Sequence, residues 1–194
     1  MSLASRPTSR AGRRRDPACD AAIRDATLDV FVEEGYLGVS IEGVAARAGV
    51  GKASIYRRYA NKAELIVEAI VAKARISDHL PDTGDLRADL RSMLQHLAER
   101  LRSDDGRVLV TFMGERLRHP DLAAEYERSV IGAKRAHTRA LFRAAIERGD
   151  LPADTDVEVI AEAGPAMLWH FALNGLPLTD DLVDRILAAV LPEP

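Results

Sequence analysis

The stretch GKASIYRRYANKAEL, residues 51–65, carries Lys52, Arg57, Arg58 and Lys62 within eleven positions, with Tyr56 and Tyr59 around the arginine pair and no acid among them. Cations interleaved with aromatics suit a polyanion: ammonium and guanidinium groups meet phosphates, and a tyrosine hydroxyl adds a directed hydrogen bond. The other chemistry-bearing residues are scattered. The five histidines lie at least seventeen residues apart, so no cluster has metal-ligand spacing and no metal or cofactor is expected. No nucleophile motif, glycine-rich phosphate loop or metal-binding helix occurs, which points away from an enzyme. Cys19 is the single cysteine, so an intramolecular disulfide is excluded and a reducing cytoplasm is the simplest setting.

Charge is unevenly placed. The formal net charge is −3 over 194 residues, yet residues 1–62 carry +4 and residues 63–194 carry −7. A basic first third on an acidic body implies a polyanionic partner for that third alone. No apolar run is long enough to span a bilayer, and no apolar segment follows the basic N-terminus to make a secretory signal.

The pattern of apolar residues supplies the elements that must hold the basic segment. Residues 1–15 contain five arginines and little to bury, a composition that predicts a disordered arm. It is either a solvated tail or an arm that touches DNA phosphates or a minor groove. Asp16-Pro17 opens a first helix with Ile23, Ala26, Val30 and Phe31 on one face, and Gly35 ends it. Ser40 caps a second, short helix with Ile41, Val44, Ala45 and Ala48 as its stripe, closed by Gly49. A third helix runs from Lys52 to about Tyr59, and Asn61 with Glu64 forms a capping-box-like start to a fourth. Further helices are expected over 85–103, 106–119, 120 to about 148, 155–174 and 179–191, with no sustained alternation to suggest a sheet. The fold class is all-α.

Two short helices joined by a glycine turn, the second rich in cations, describe a helix-turn-helix. At about 100° per residue, Ile55 and Tyr59 face inward while Ala53, Tyr56 and Arg57 face outward. Ala53 allows close approach to a groove, Arg57 can reach a guanine edge or a phosphate, and the Tyr56 hydroxyl can bond a phosphate. Lys62 starts helix four, where a phosphate would relieve its conflict with the helix dipole. Ser40 is first a structural cap that can also present its hydroxyl. Arg57 and Arg58 can also be read as an ordinary solvated face.

The run SIEGVAARAGVGKASIYRRYANKAEL, residues 40–65, closely resembles the DNA-binding signature of TetR-type bacterial transcriptional regulators. Ala45, Gly49, Val50, Ile55, Tyr56, Asn61, Lys62 and Leu65 stand in the family's relative places, and the close match covers Ala21 to Leu65. Gly51 stands where many members have Ser or Thr, which removes a phosphate contact, and Tyr59 where Phe is usual. The resemblance implies a three-helix DNA-binding domain over 16–62, a linking helix over 63–76, and a ligand-binding and dimerisation domain over 77–194, about nine helices in all. It assigns DNA contact to Ser40, Arg47, Gly51, Lys52, Ala53, Ser54, Tyr56, Arg57, Arg58 and Lys62.

It further implies a homodimer on a near-palindromic DNA operator, paired through the last two helices by Val159, Ala163, Leu168, Phe171, Leu182, Ile186, Leu187 and Val190. A small-molecule effector would sit among the middle helices. The candidate pocket residues are Met93, His96, Leu97, Phe112, Met113, Arg116, Tyr126, Val130, His137, Met167 and Trp169, and methionines with few aromatics suggest an apolar ligand. Repression relieved by ligand is the expected mode. Activation, or a ligand-binding protein of this fold without DNA binding, are the alternatives.

Overall fold

The structure is a computed structural model that describes residues 16–74 and 79–191; the basic arm expected over 1–15 lies outside them. The described residues form helices joined by short turns, with no strand among them. They are α1 (Pro17–Gly38), α2 (Ile41–Ala48), α3 (Lys52–Tyr56), α4 (Lys62–Ala74), α5 (Leu86–Arg102) and α6 (Gly106–Arg118), then α7 (Pro120–Tyr126), α8 (Gly132–Arg148), α9 (Val157–Leu173) and α10 (Leu182–Val190). A π-helical turn, Glu127–Ile131, joins α7 to α8 without a break, so Pro120 to Arg148 is one long helix as expected.

Carboxylates and hydroxyls start several of these helices by accepting otherwise orphaned N–H groups. Asp16 accepts from Ala18, Ser40 from Gly43, Asp85 from Ala88, and Asp156 from Glu158 and Val159. Asn61 Oδ1 accepts from the Glu64 N–H at 2.9 Å, while Glu64 returns its carboxylate to the N–H of Ala60 at 2.6 Å. The expected capping pair is therefore present, displaced by one residue on its return arm.

Three boundaries differ from the sequence reading. Gly35 breaks α1 but does not end it: at φ 70° and ψ −172° it kinks the chain, and one more turn follows to Gly38. A side chain is strained at that φ, so glycine is the residue that fits. α3 stops at Tyr56 rather than Tyr59, because Arg58 N–H turns to the Ile55 carbonyl at 2.8 Å in a tighter three-residue pattern. α10 begins at Leu182 rather than 179. Pro165 sits inside an α9 that stays helical on both sides.

α1 packs on α2, α4 and α6, and α4 also packs on α6 and α7. Helix α4 thus lies between the N-terminal head (α1–α3) and the larger body, with Leu65, Ile66, Val67, Ala69 and Ile70 buried. In the body, α5 packs on α6, α8, α9 and α10. Fully burying such a side chain contributes about 1.5–3 kcal/mol, so substitution of a central α4 residue disrupts both parts at once.

Candidate nucleic-acid interface and ligand cavity

The head presents α3 as the helical phasing requires. Ile55 is fully buried and Tyr59 nearly so, while Ala53, Tyr56 (58% exposed) and Arg57 face outward. Gly49, in the left-handed region at φ 66°, closes α2 and turns the chain into α3. Tyr59 does more than fill space. Its hydroxyl donates to Glu68 at 2.5 Å, which also faces Arg24 at 3.4 Å, so α3's exit is tied to α4 and α1. Burial, then the Glu68 hydrogen bond, raises the Tyr59 phenol above its ordinary range.

The cations assigned to DNA fall into distinct settings. Arg57 is exposed and donates to the Ser54 hydroxyl at 3.1 Å. Lys52 pairs with Glu42 at 3.0 Å and Arg47 with Glu33 at 2.7 Å, all on open surface. Those bonds hold both carboxyls below their ordinary range. Exposed pairs of this kind contribute little to stability and exchange partners readily. Arg58 is different. It is largely covered, bonds Asp20 at 2.5 Å, and donates to the Ser54 carbonyl at 2.7 Å, so it fastens α3 to α1. Ser40 is committed to its capping bond, and Gly51 is exposed with open space where a side chain would begin.

Lys62 is turned inward. Its ammonium donates to the Tyr36 carbonyl at 3.2 Å and lies 4.1 Å from the Tyr36 ring centre. Tyr36 follows the Gly35 kink and forms the junction between head and body. Its N–H donates to Glu115 at 2.8 Å, its hydroxyl donates to Asp121, and the His119 ring stacks on it at 4.4 Å. Burial and the Asp121 bond raise the Tyr36 phenol, and that same bond lowers the Asp121 carboxyl. The sequence reading had no role for Tyr36, Glu115 or Asp121; Tyr36 lies 79 and 85 residues from the other two and shares no local pattern with them.

The body holds a cavity of about 540 Å³. It brings together Met93, His96, Leu97, Met113, Arg116, Tyr126 and Trp169 of the candidate set. Four others lie elsewhere. Phe112 is core, 6.4 Å from Phe31 and 4.8 Å from Tyr126 between ring centres. Val130 is buried, His137 donates its Nε2–H to the Pro81 carbonyl at 2.9 Å, and Met167 points outward. The sequence reading missed Arg100, Lys134, Arg135 and Glu162 on the lining. Helical spacing could have found one of them: 93, 96, 97 and 100 share a face of α5.

The residues assigned to dimer pairing divide in the same way. Leu168, Leu182, Ile186 and Leu187 are buried within the chain, where their apolar surface joins the core instead of facing a partner. Phe171 and Val190 are half-buried against that core. Val159 is 66% exposed and Ala163 half-exposed, on the side of α9 opposite Leu168. Among the described residues no group of acids, histidines and cysteine could hold a metal, and no helix is long and apolar enough to cross a membrane.

Residues 23–70 match the family described as "Bacterial regulatory proteins, tetR family", and residues 80–190 match "Tetracyclin repressor-like, C-terminal domain". The DNA-binding transcriptional repressor TetR of Mycobacteroides abscessus is 33% identical over 182 residues, covering 88% of this chain and 90% of that protein. The HTH-type transcriptional regulator YdeS of Bacillus subtilis is 30% identical over 177 residues, covering 90% and 89%. The crystal structure of the TetR family transcription regulator SCO0332 superposes with a TM-score of 0.65 at 26% identity, covering 89% of this chain and 96% of that one. Both parts of the fold, the reading head and the cavity-bearing body, are accounted for by a single family. The chain belongs to the TetR family of bacterial regulators.

Proposed function

We propose that the chain is a sequence-specific DNA-binding transcriptional regulator, a homodimeric repressor that a small-molecule effector releases from a near-palindromic operator. The outward face of α3 carries the reading: Ala53, Tyr56 and Arg57 stand exposed on a helix that Ile55, Tyr59 and Arg58 hold fast. The repressor of M. abscessus, similar over most of both chains, supports repression as the mode. The division into a head over 16–62, a link and a body from 77 onward is supported by the separate family matches over 23–70 and 80–190.

The dimer forms through the outer side of α9, where Val159, Ala163, Met167 and Leu173 leave an apolar stripe uncovered. The effector occupies the cavity and binds one spacing of the two heads better than the other, so DNA affinity falls by at most that differential. The junction at Tyr36 transmits the change, and Lys62 moves from the Tyr36 carbonyl to a phosphate when the head engages DNA.

The test is binding to a duplex from upstream of the protein's own gene. Arg57→Ala should weaken it about tenfold to a hundredfold at unchanged stability, the worth of one good base or phosphate contact. Lys62→Ala should reduce the slope of log affinity against log salt by about 1. Affinity indifferent to both substitutions would remove the head from the interface.

A further inference from the structure

The cavity lining combines apolar side chains with an excess of positive charge. Arg100, Arg116, Lys134 and Arg135 line it, and Glu162 is the single acidic residue among the described lining residues. That carboxylate is already engaged: Arg135 Nε donates to it at 2.8 Å, and Arg135 Nη1 donates to Glu127 at 2.9–3.0 Å. The pair Arg135–Glu162 therefore adds no net charge.

Arg116 is the informative member. Its Nε is shut off from water and has no hydrogen-bond partner, and its guanidinium faces the Tyr126 ring at 5.9 Å. Among the described residues no carboxylate pairs with it. A guanidinium that no protein anion balances is stabilised best by a planar anion that takes two parallel hydrogen bonds. Arg100, on the facing helix α5, has its cationic form disfavoured by burial and donates to the Ala74 carbonyl at 3.4 Å. Met93, Met113 and Trp169 offer the apolar surface to cover the remainder of such a ligand.

We propose that the effector is an amphipathic carboxylate, its anionic end on Arg116 and its apolar body against Met93, Met113 and Trp169. The proposal rests on the reading of the cavity as the effector site. It differs from the purely apolar ligand that the methionine content suggests, because a neutral hydrocarbon would strip water from the guanidinium and leave it unpaired. It also gives the anion a route to the head. Arg116 follows Glu115 in α6, and Glu115 accepts the Tyr36 N–H beside the Gly35 kink. A ligand that draws the Arg116 end of α6 acts directly on the residue that holds the head in place.

The test titrates the full chain with hexanoate, octanoate, decanoate and benzoate, each against its matched alcohol, following Trp169 fluorescence and calorimetry. The carboxylates should bind at least about tenfold more tightly than the alcohols, as a charge-assisted bidentate contact requires. Arg116→Met should abolish that preference, with the alcohols binding as tightly as before or more so, because the guanidinium they would strip of water is gone. A panel in which no carboxylate outbinds its alcohol, or a preference that survives Arg116→Met, overturns the proposal. The same ligands are then added to the protein–DNA complex. An Arg116-dependent carboxylate that binds but leaves DNA affinity unchanged keeps the anion site and sinks the effector reading, so the two failures are distinct.

Discussion

On the reading face, Arg47 and Lys52 hold Glu33 and Glu42 across open surface, whereas Arg116 lies inside a cavity with a tyrosine ring as its neighbour. The side chains are chemically alike, but water makes their situations opposite. On the surface, solvent screens each pair, so a cation changes partner at little cost and suits a ligand that must be bound and released along a groove. In the cavity, an unmatched guanidinium is costly until an anion arrives, which suits recognition of one charge type. Arg58 shows that the distinction is one of setting rather than of domain. It belongs to the head, yet it is covered and bonded to Asp20, and it is structural.

Arg58→Ala should give the largest effect. It leaves Asp20 half-covered without its partner and frees the exit of α3, so stability should fall by about 2–3 kcal/mol, near the lower limit for breaking a buried pair. Urea denaturation measures it, and a loss no greater than that for an exposed arginine would place Arg58 with the exchangeable cations. Arg116→Met should act in the opposite direction. Without ligand it exchanges a cation that no protein anion balances, its Nε shut off from water, for an apolar side chain of similar length, and stability should rise by at most about 1 kcal/mol. A clear loss instead would show that the Tyr126 ring already satisfies the cation, and the contrast between the two regions would weaken.

The head was legible because its signals are local. The caps at Asp16, Ser40 and Asn61, the turn at Gly49, and the inward phase of Ile55 and Tyr59 all lie within one turn of the residues they govern. The cavity was legible only in part, since α5, α6, α7, α8 and α9 each contribute to it and no sequence spacing joins them. Its apolar members were found as stripes. Arg100, Lys134 and Arg135 were not, because a cation on an amphipathic helix is normally solvated. The junction at Tyr36 was invisible for the same reason, its partners Glu115 and Asp121 being brought to it by the packing of α6 and α7. Leu168, Leu182, Ile186 and Leu187 show the converse error: an apolar stripe reports burial without saying whether the covering surface is one's own or a partner's.

The smallest effect is the most direct test of exchange on the reading face. Glu42 sits 3.0 Å from Lys52, and that hydrogen bond holds the Glu42 carboxyl below its ordinary range. The acid therefore stays ionised throughout neutral pH and, in the proposed DNA complex, would compete with phosphate for the lysine. Glu42→Gln ends the competition, and DNA affinity should rise about twofold to threefold at low salt, the gain fading as salt screens the pair. Removing an acid near DNA would also help by lessened repulsion alone, so the substitution must be repeated beside Lys52→Ala. If the carboxylate acts by occupying Lys52, Glu42→Gln gains nothing in that background. An equal gain with and without the lysine would mean that the pair never needed to open, and that Lys52 is a spectator on the face that Arg57 reads.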